Sequence, residues 1–211
     1  MSWEISPQQV FSASPIVPVM VIKNVEDAIP MAQALLDGGI SIFEITLRTE
    51  CALEAIRLIS QQFPDILVGA GTVLDKQQYD SAVEAGAKFI ISPGYTPELL
   101  SYGLEQSVPL IPGVSTASEI MYARSLGYKH LKFFPAEANG GAPALKAISA
   151  PLADIQFCPT GGVNPKNIAD YLAIKSVATA GGSWMLPEDL ITAGNWSAIT
   201  ELTKEAVQLV S

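Results

Sequence analysis

Two ionisable side chains in this sequence sit where charge is costly. Glu44 lies within Ile42-Phe43-Glu44-Ile45 and Lys132 within Leu131-Lys132-Phe133-Phe134, each flanked by apolar residues. An isolated charge buried in such a run needs a partner or a chemical use. One reading makes them a structural ion pair that fills the core. The other makes Lys132 an amine nucleophile toward a carbonyl, with Glu44 carrying protons. Desolvation and the cation Arg48 favour the neutral amine, whereas an ionised Glu44 favours the ammonium. Arg48 follows Glu44 by four residues. Its fork suits a substrate carboxylate, or it pairs with Glu50 at the surface.

A second constellation is built from glycine. One segment reads Pro159-Thr160-Gly161-Gly162-Val163-Asn164, and another Ala180-Gly181-Gly182-Ser183-Trp184. Paired glycines let backbone N–H groups approach oxyanions, and a following helix start adds a favourable dipole. Either pair alone reads as a turn. Gly69-Ala70-Gly71-Thr72 supplies a hydroxyl, while Ser92-Pro93-Gly94 and Ile111-Pro112-Gly113 read as tight turns. His130 is the single histidine and the cysteines are two, Cys51 and Cys158. That set is too small for a zinc site or a disulfide framework, so no metal is expected.

The elements that must position these residues follow from periodicity. Runs rich in β-branched residues span 16–22, 40–46, 66–71, 87–92, 109–113, 128–134, 155–160 and 176–180. The eight recur at the spacing of a strand–helix unit, and most are apolar on both faces, as covered parallel strands are. Between them, Asp75 caps a helix that stops at Gly86. Thr96-Pro97 and Asn164-Pro165 place a capping side chain before a first-turn proline. Thr116 with Glu119 forms a capping box, and Gly127 ends that helix. Leu53, Ile56 and Ile59 form an apolar stripe, and Pro30 makes its helix start late or kink.

Eight alternations predict an α/β chain folded as a (β/α)8 TIM barrel, with an extra N-terminal helix at 6–12 closing its bottom. A doubly wound open sheet is the alternative, but Val21-Ile22-Lys23-Asn24 follows the first strand where that fold wants a glycine fingerprint. In a barrel, the C-terminal strand ends carry the chemistry and the loops after strands seven and eight hold phosphate. Lys88 and Lys129 fall at the opposite rim and read as solvated charges.

The 211 residues suit one domain spanning 1–211. Hydrophobic residues make up 49% and charged residues 16%, which excludes disorder as the dominant state. A net charge of −9 disfavours nucleic acid and anionic lipid as partners. The mean hydropathy of +0.31 reflects heavy burial, since no apolar run reaches the ~20 residues of a membrane helix. The opening MSWEISPQQV lacks the pattern of a signal peptide, so a cytoplasmic setting is expected.

At its motifs the sequence resembles the 2-keto-3-deoxy-6-phosphogluconate aldolases, also called 4-hydroxy-2-oxoglutarate aldolases. The resemblance is carried by Glu44-Ile45-Thr46-Leu47-Arg48-Thr49, Val68-Gly69-Ala70-Gly71-Thr72-Val73, Ile91-Ser92-Pro93-Gly94, Lys132-Phe133-Phe134-Pro135-Ala136-Glu137, Cys158-Pro159-Thr160-Gly161-Gly162 and Gly181-Gly182-Ser183-Trp184. It implies a metal-free, cofactor-free class I aldolase on a (β/α)8 barrel, assembled as a homotrimer. Such an enzyme cleaves its phosphorylated 2-keto acid to pyruvate and glyceraldehyde 3-phosphate in the Entner–Doudoroff pathway. By resemblance, Lys132 is the Schiff-base lysine and Glu44 the general acid/base. Arg48 and Thr72 hold the pyruvate carboxylate, and Pro93, Phe134 and Thr160 line the site and bear on stereochemistry. Gly161, Gly162, Gly182 and Ser183 contact phosphate. The alternatives are an aldolase for 2-keto-3-deoxy-6-phosphogalactonate, a non-catalytic sugar-phosphate binding barrel, and a phosphate-binding isomerase without imine chemistry.

Overall fold

The computed structural model describes residues 3–210. Its strands are β1 Ile16–Met20, β2 Ile42–Thr46, β3 Leu67–Gly71, β4 Phe89–Ile91, β5 Leu110–Ile111, β6 Gly113–Val114, β7 His130–Phe133, β8 Gln156–Pro159 and β9 Ala180–Gly182. All of their pairings are parallel, in the orders β5-β4-β3-β2-β1-β9 and β6-β7-β8. β5 and β6 are halves of one stave, parted at Pro112. Proline has no N–H to give a ladder, but the Pro112 carbonyl still accepts from Lys132 N–H at 3.0 Å. The other seam is closed by the bridges Phe157↔Val177 and Thr160↔Gly181. The result is a ring of eight staves, the expected (β/α)8 barrel.

The helices are α1 Pro7–Ser12, α2 Ala28–Asp37, α3 Ala52–Gln62, α4 Lys76–Glu84, α5 Pro97–Glu105, α6 Ala117–Ser125, α7 Gly141–Ser149, α8 Ile168–Leu172, α9 Glu188–Thr192 and α10 Trp196–Leu209. Most start where the sequence marks them. Asp75, Thr96 and Thr116 accept from Gln78, Leu99 and Glu119 N–H, and Thr116 with Glu119 completes a capping box. Gly86 and Gly127 follow their helices in the left-handed region that glycine favours. Pro30 falls in the first turn of α2, after a 3-10 turn at Val25–Asp27, so the helix starts late. α1 sits at the barrel bottom, where Gln8 bonds His130 at 3.0 Å and Phe11 meets its ring edge-on.

Two expectations shift. Asn164-Pro165 starts an Asx turn, with the Asn164 side chain accepting from Lys166 N–H at 2.9 Å, and α8 begins only at Ile168. The last strand lies later than 176–180. Val177 makes a single bridge, and regular pairing begins where Ala180 N–H reaches Pro15 O. Gly181 and Gly182 are therefore strand residues rather than a loop. A Cβ on Gly181 would lie 2.4 Å from Thr160 Oγ1, and one on Gly182 1.9 Å from the Trp184 ring.

Register fixes the interior. Val19, Glu44, Gly69 and Phe89 lie level across β1 to β4, and Gly113, Lys132 and Cys158 across β6 to β8. Paired residues share a face, so Glu44 and Lys132 enter the barrel from opposite staves.

Candidate active site

Lys132 Nζ donates to Glu44 Oε1 at 2.8 Å across the barrel. Both side chains are at most 5% exposed, against 46% or more for every other lysine or arginine in the ion pairs of the described residues. Removing either partner of a pair this dry would leave an uncompensated buried charge. Glycine makes room for it. A Cβ on Gly71 would lie 2.1 Å from Glu44 Oε1, so only glycine at the end of β3 lets the carboxylate take this position. The Phe134 ring lies 5.3 Å from Lys132 Nζ and forms an aromatic wall for the amine.

Arg48, exposed at the mouth, donates from Nε to Thr72 Oγ1 at 3.3 Å and makes no ion pair with Glu50. Thr72 adopts φ 61°, and it is the only non-glycine residue in the described chain with positive φ. A β-branched residue there costs on the order of 1–3 kcal/mol, a strain met at ligand-holding positions. The β2 and β3 ends thus present a guanidinium beside a hydroxyl. Pro93 and Phe134 line a common cleft of about 130 Å³ with Gly94, Gly113 and Ser115.

Thr160 is buried at the end of β8, its Oγ1 3.8 Å from Cys158 Sγ. Gly161 and Gly162 follow with φ 100° and 81°. Asn164 and Asn167 amides donate to Gly162 O at 2.9 and 3.1 Å. Gly182 ends β9, and Ser183 is exposed just beyond it. Ser183 faces a space whose lining includes neither Lys132 nor Glu44. It lines a cavity of about 360 Å³ with Val19, Val21, Lys23 and Glu188.

Cys158 is the residue that sequence reasoning overlooked. It lies level with Lys132, is buried, and feels both charges of the pair. Burial pushes its thiol up to about 12, the Glu44 charge adds to this, and Lys132, Thr160 and Gly181 N–H oppose it. It is a neutral wall for the amine. Alternation along β8 from Thr160 points to it. His130 opens β7 at the opposite rim, where its ring bonds Gln8. Lys88 and Lys129 are exposed at strand starts. Among the described residues, no three His, Cys, Asp or Glu side chains converge as for a metal, and no helix is long and apolar enough to cross a membrane.

Comparison with known proteins gives a consistent picture. The model of the aldolase family described as KDPG and KHG aldolase matches residues 8–202. The chain is 52% identical over 207 residues to the KHG/KDPG aldolase of Escherichia coli (strain K12), covering 98% of this chain and 97% of that protein. It is 54% identical over 206 residues to the 2-dehydro-3-deoxy-phosphogluconate aldolase of Dickeya dadantii, covering 98% and 97%. The crystal structure of KDPG aldolase from Legionella pneumophila, with pyruvate captured at low pH as a covalent carbinolamine intermediate, superposes with a TM-score of 0.95. Its identity is 53%, over 97% of this chain and 99% of that one.

Proposed function

Because the chain belongs to the KDPG and KHG aldolase family, we propose that it cleaves 2-keto-3-deoxy-6-phosphogluconate to pyruvate and glyceraldehyde 3-phosphate, and 4-hydroxy-2-oxoglutarate to pyruvate and glyoxylate. It is an aldolase, hence a carbon–carbon lyase. The observation that carries the reading is the buried Lys132–Glu44 contact of 2.8 Å, made across the barrel from opposite staves. The names of the relatives agree with it.

The chemistry follows from that contact. Lys132 passes a proton to Glu44, and its lone pair attacks the C2 carbonyl of the keto acid. The carbinolamine formed loses its hydroxyl as water, with Glu44 supplying the proton, and leaves a protonated imine. Glu44, now a carboxylate, takes the proton of the C4 hydroxyl. The C3–C4 electron pair then moves to C3 and into the iminium, releasing the aldehyde and leaving an enamine. Protonation at C3 and hydrolysis free pyruvate and restore the amine. Arg48 and Thr72 hold the carboxylate, Pro93 and Phe134 pack the methylene and methyl, and Thr160 faces the substrate hydroxyls. The N–H groups around Gly161, Gly162 and Gly182, with the Ser183 hydroxyl, take the phosphate.

We read residues 1–211 as one domain, a view supported by a family match running over 8–202. On the family precedent, the enzyme is a homotrimer. Its phosphorylated substrate cannot diffuse across a membrane, which favours the cytoplasm. The test is direct: the purified chain is given each keto acid, and pyruvate and the partner aldehyde are assayed. Equimolar pyruvate and glyceraldehyde 3-phosphate support the proposal. Binding without cleavage would favour a binding barrel, and preference for the galactonate epimer would reassign the substrate.

A further inference from the structure

Glu137, at the end of the Lys132-Phe133-Phe134-Pro135-Ala136-Glu137 stretch, has no part in the imine chemistry, yet it is wedged against the first glycine loop. A Cβ on Gly162 would lie 2.6 Å from Glu137 Cγ and 2.7 Å from its Cβ, so the glutamate stem occupies the space that glycine leaves. The backbones of the two loops are tied together as well. Ala136 N–H donates to Thr160 O at 2.8 Å, and Glu137 N–H donates to Gly161 O at 3.0 Å. The Glu137 carboxylate accepts the hydroxyl of Tyr171, a fully buried residue of α8. Burial, and then this carboxylate, push the phenol above its ordinary range.

On its other side the Gly162 carbonyl takes the Asn164 and Asn167 amides. Two successive peptides with positive φ are thus clamped from both directions. Without the clamp, glycine pairs are the freest backbone a chain can have. Charge does not explain Glu137, because a carboxylate beside a phosphate pocket repels the ligand.

We propose that Glu137, tethered by Tyr171, is a positioning residue. It fixes the Gly161–Gly162 N–H groups on the phosphate arm and so sets the preference for phosphorylated over unphosphorylated 2-keto acids. The inference rests on the aldolase reading above and refines its specificity.

The experiment compares the wild type with Glu137→Ala, Glu137→Gln and Tyr171→Phe. The readouts are KM and kcat on 2-keto-3-deoxy-6-phosphogluconate and on 4-hydroxy-2-oxoglutarate, borohydride trapping with pyruvate, and melting temperature. Glu137→Ala raises KM for the phosphorylated substrate about 10-fold, the scale of one weakened hydrogen bond to a charged group. kcat/KM for 4-hydroxy-2-oxoglutarate and pyruvate trapping stay within twofold. Glu137→Gln, which keeps the stem and the acceptor for Tyr171, restores the wild-type ratio. Tyr171→Phe, which removes only the tether, gives a loss of about threefold confined to the phosphorylated substrate.

Equal losses on both substrates, or no loss in a folded Glu137→Ala or Tyr171→Phe, would overturn the proposal. A fall in phosphorylated-substrate KM in both Glu137 variants would overturn it too, by revealing simple repulsion. If Glu137→Ala does not fold, Tyr171→Phe and Glu137→Gln decide by the same criteria. Failure of the underlying aldolase reading looks different: the wild type releases no pyruvate from either keto acid.

Discussion

Gly71→Ala would test whether the placement of Glu44 matters as well as its presence. Gly71 is not among the residues with positive φ, so its backbone accepts alanine. The added methyl would lie 2.1 Å from Glu44 Oε1 and 2.7 Å from its Cγ and Cδ, where ordinary contact begins at 3.4 Å. The carboxylate must therefore retreat by roughly 1 Å, which breaks the geometry that holds Lys132 Nζ at 2.8 Å. Glu44 is fully buried and has no solvent to move into. Overpacking of this kind costs about 1–3 kcal/mol of stability, or a melting temperature lower by about 2–12 °C for a chain of this size. A misplacement of about 1 Å in a reacting group lowers kcat by about 10²-fold. KM changes little, because Arg48 and Thr72 are untouched. The assay is pyruvate release against keto-acid concentration, with a thermal melt on the same sample. A folded Gly71→Ala enzyme with kcat within threefold of wild type would refute the argument.

Further outcomes follow from the same geometry. Glu44→Gln keeps shape but loses the titrating proton, so kcat falls by about 10²–10⁴ and trapping with pyruvate slows while remaining on Lys132. Recovery of near-normal kcat at any pH would return the pair to a purely structural role. Ser183→Ala raises KM for the phosphorylated substrate by roughly 10- to 150-fold and spares 4-hydroxy-2-oxoglutarate. Equal losses on both substrates would place Ser183 elsewhere. His130 is held below its usual value by burial first and by Lys129 second. The unfolded chain therefore binds a proton below about pH 6.5 that the folded chain refuses, and stability falls as the pH drops from 7.5 to 5.5. His130→Gln flattens that slope in denaturant titrations, and an unchanged slope would show that carboxylates cause it.

Much of this architecture is legible in the residues. Parallel strands buried on both faces leave apolar runs, and Asp75, Thr96 and Thr116 announce their helices because capping chemistry is local. Glu44 and Lys132 stand out because charge inside such runs demands an explanation. Less legible are features set by distant neighbours. Gly181 and Gly182 read as a loop because glycine is a poor strand former, yet the Thr160 and Trp184 side chains require it inside β9. Asn164-Pro165 has the local form of a helix cap, but Asn167 and the Gly162 carbonyl turn it into a loop clamp. The role of Cys158 depends on register with Lys132, and Gly71 is needed because of a carboxylate 27 residues earlier in the chain. Neither shows in composition.

The central claim is that Lys132 forms a covalent imine. Wild-type protein incubated with pyruvate and sodium borohydride, then digested and analysed by mass spectrometry, tests it most directly. The account predicts a single reduced pyruvyl adduct on the peptide carrying Lys132, absent from Lys132→Ala, which is also inactive. An adduct that persists in that variant on Lys23 or Lys129, or a wild type that turns over keto acid without any adduct, would contradict it.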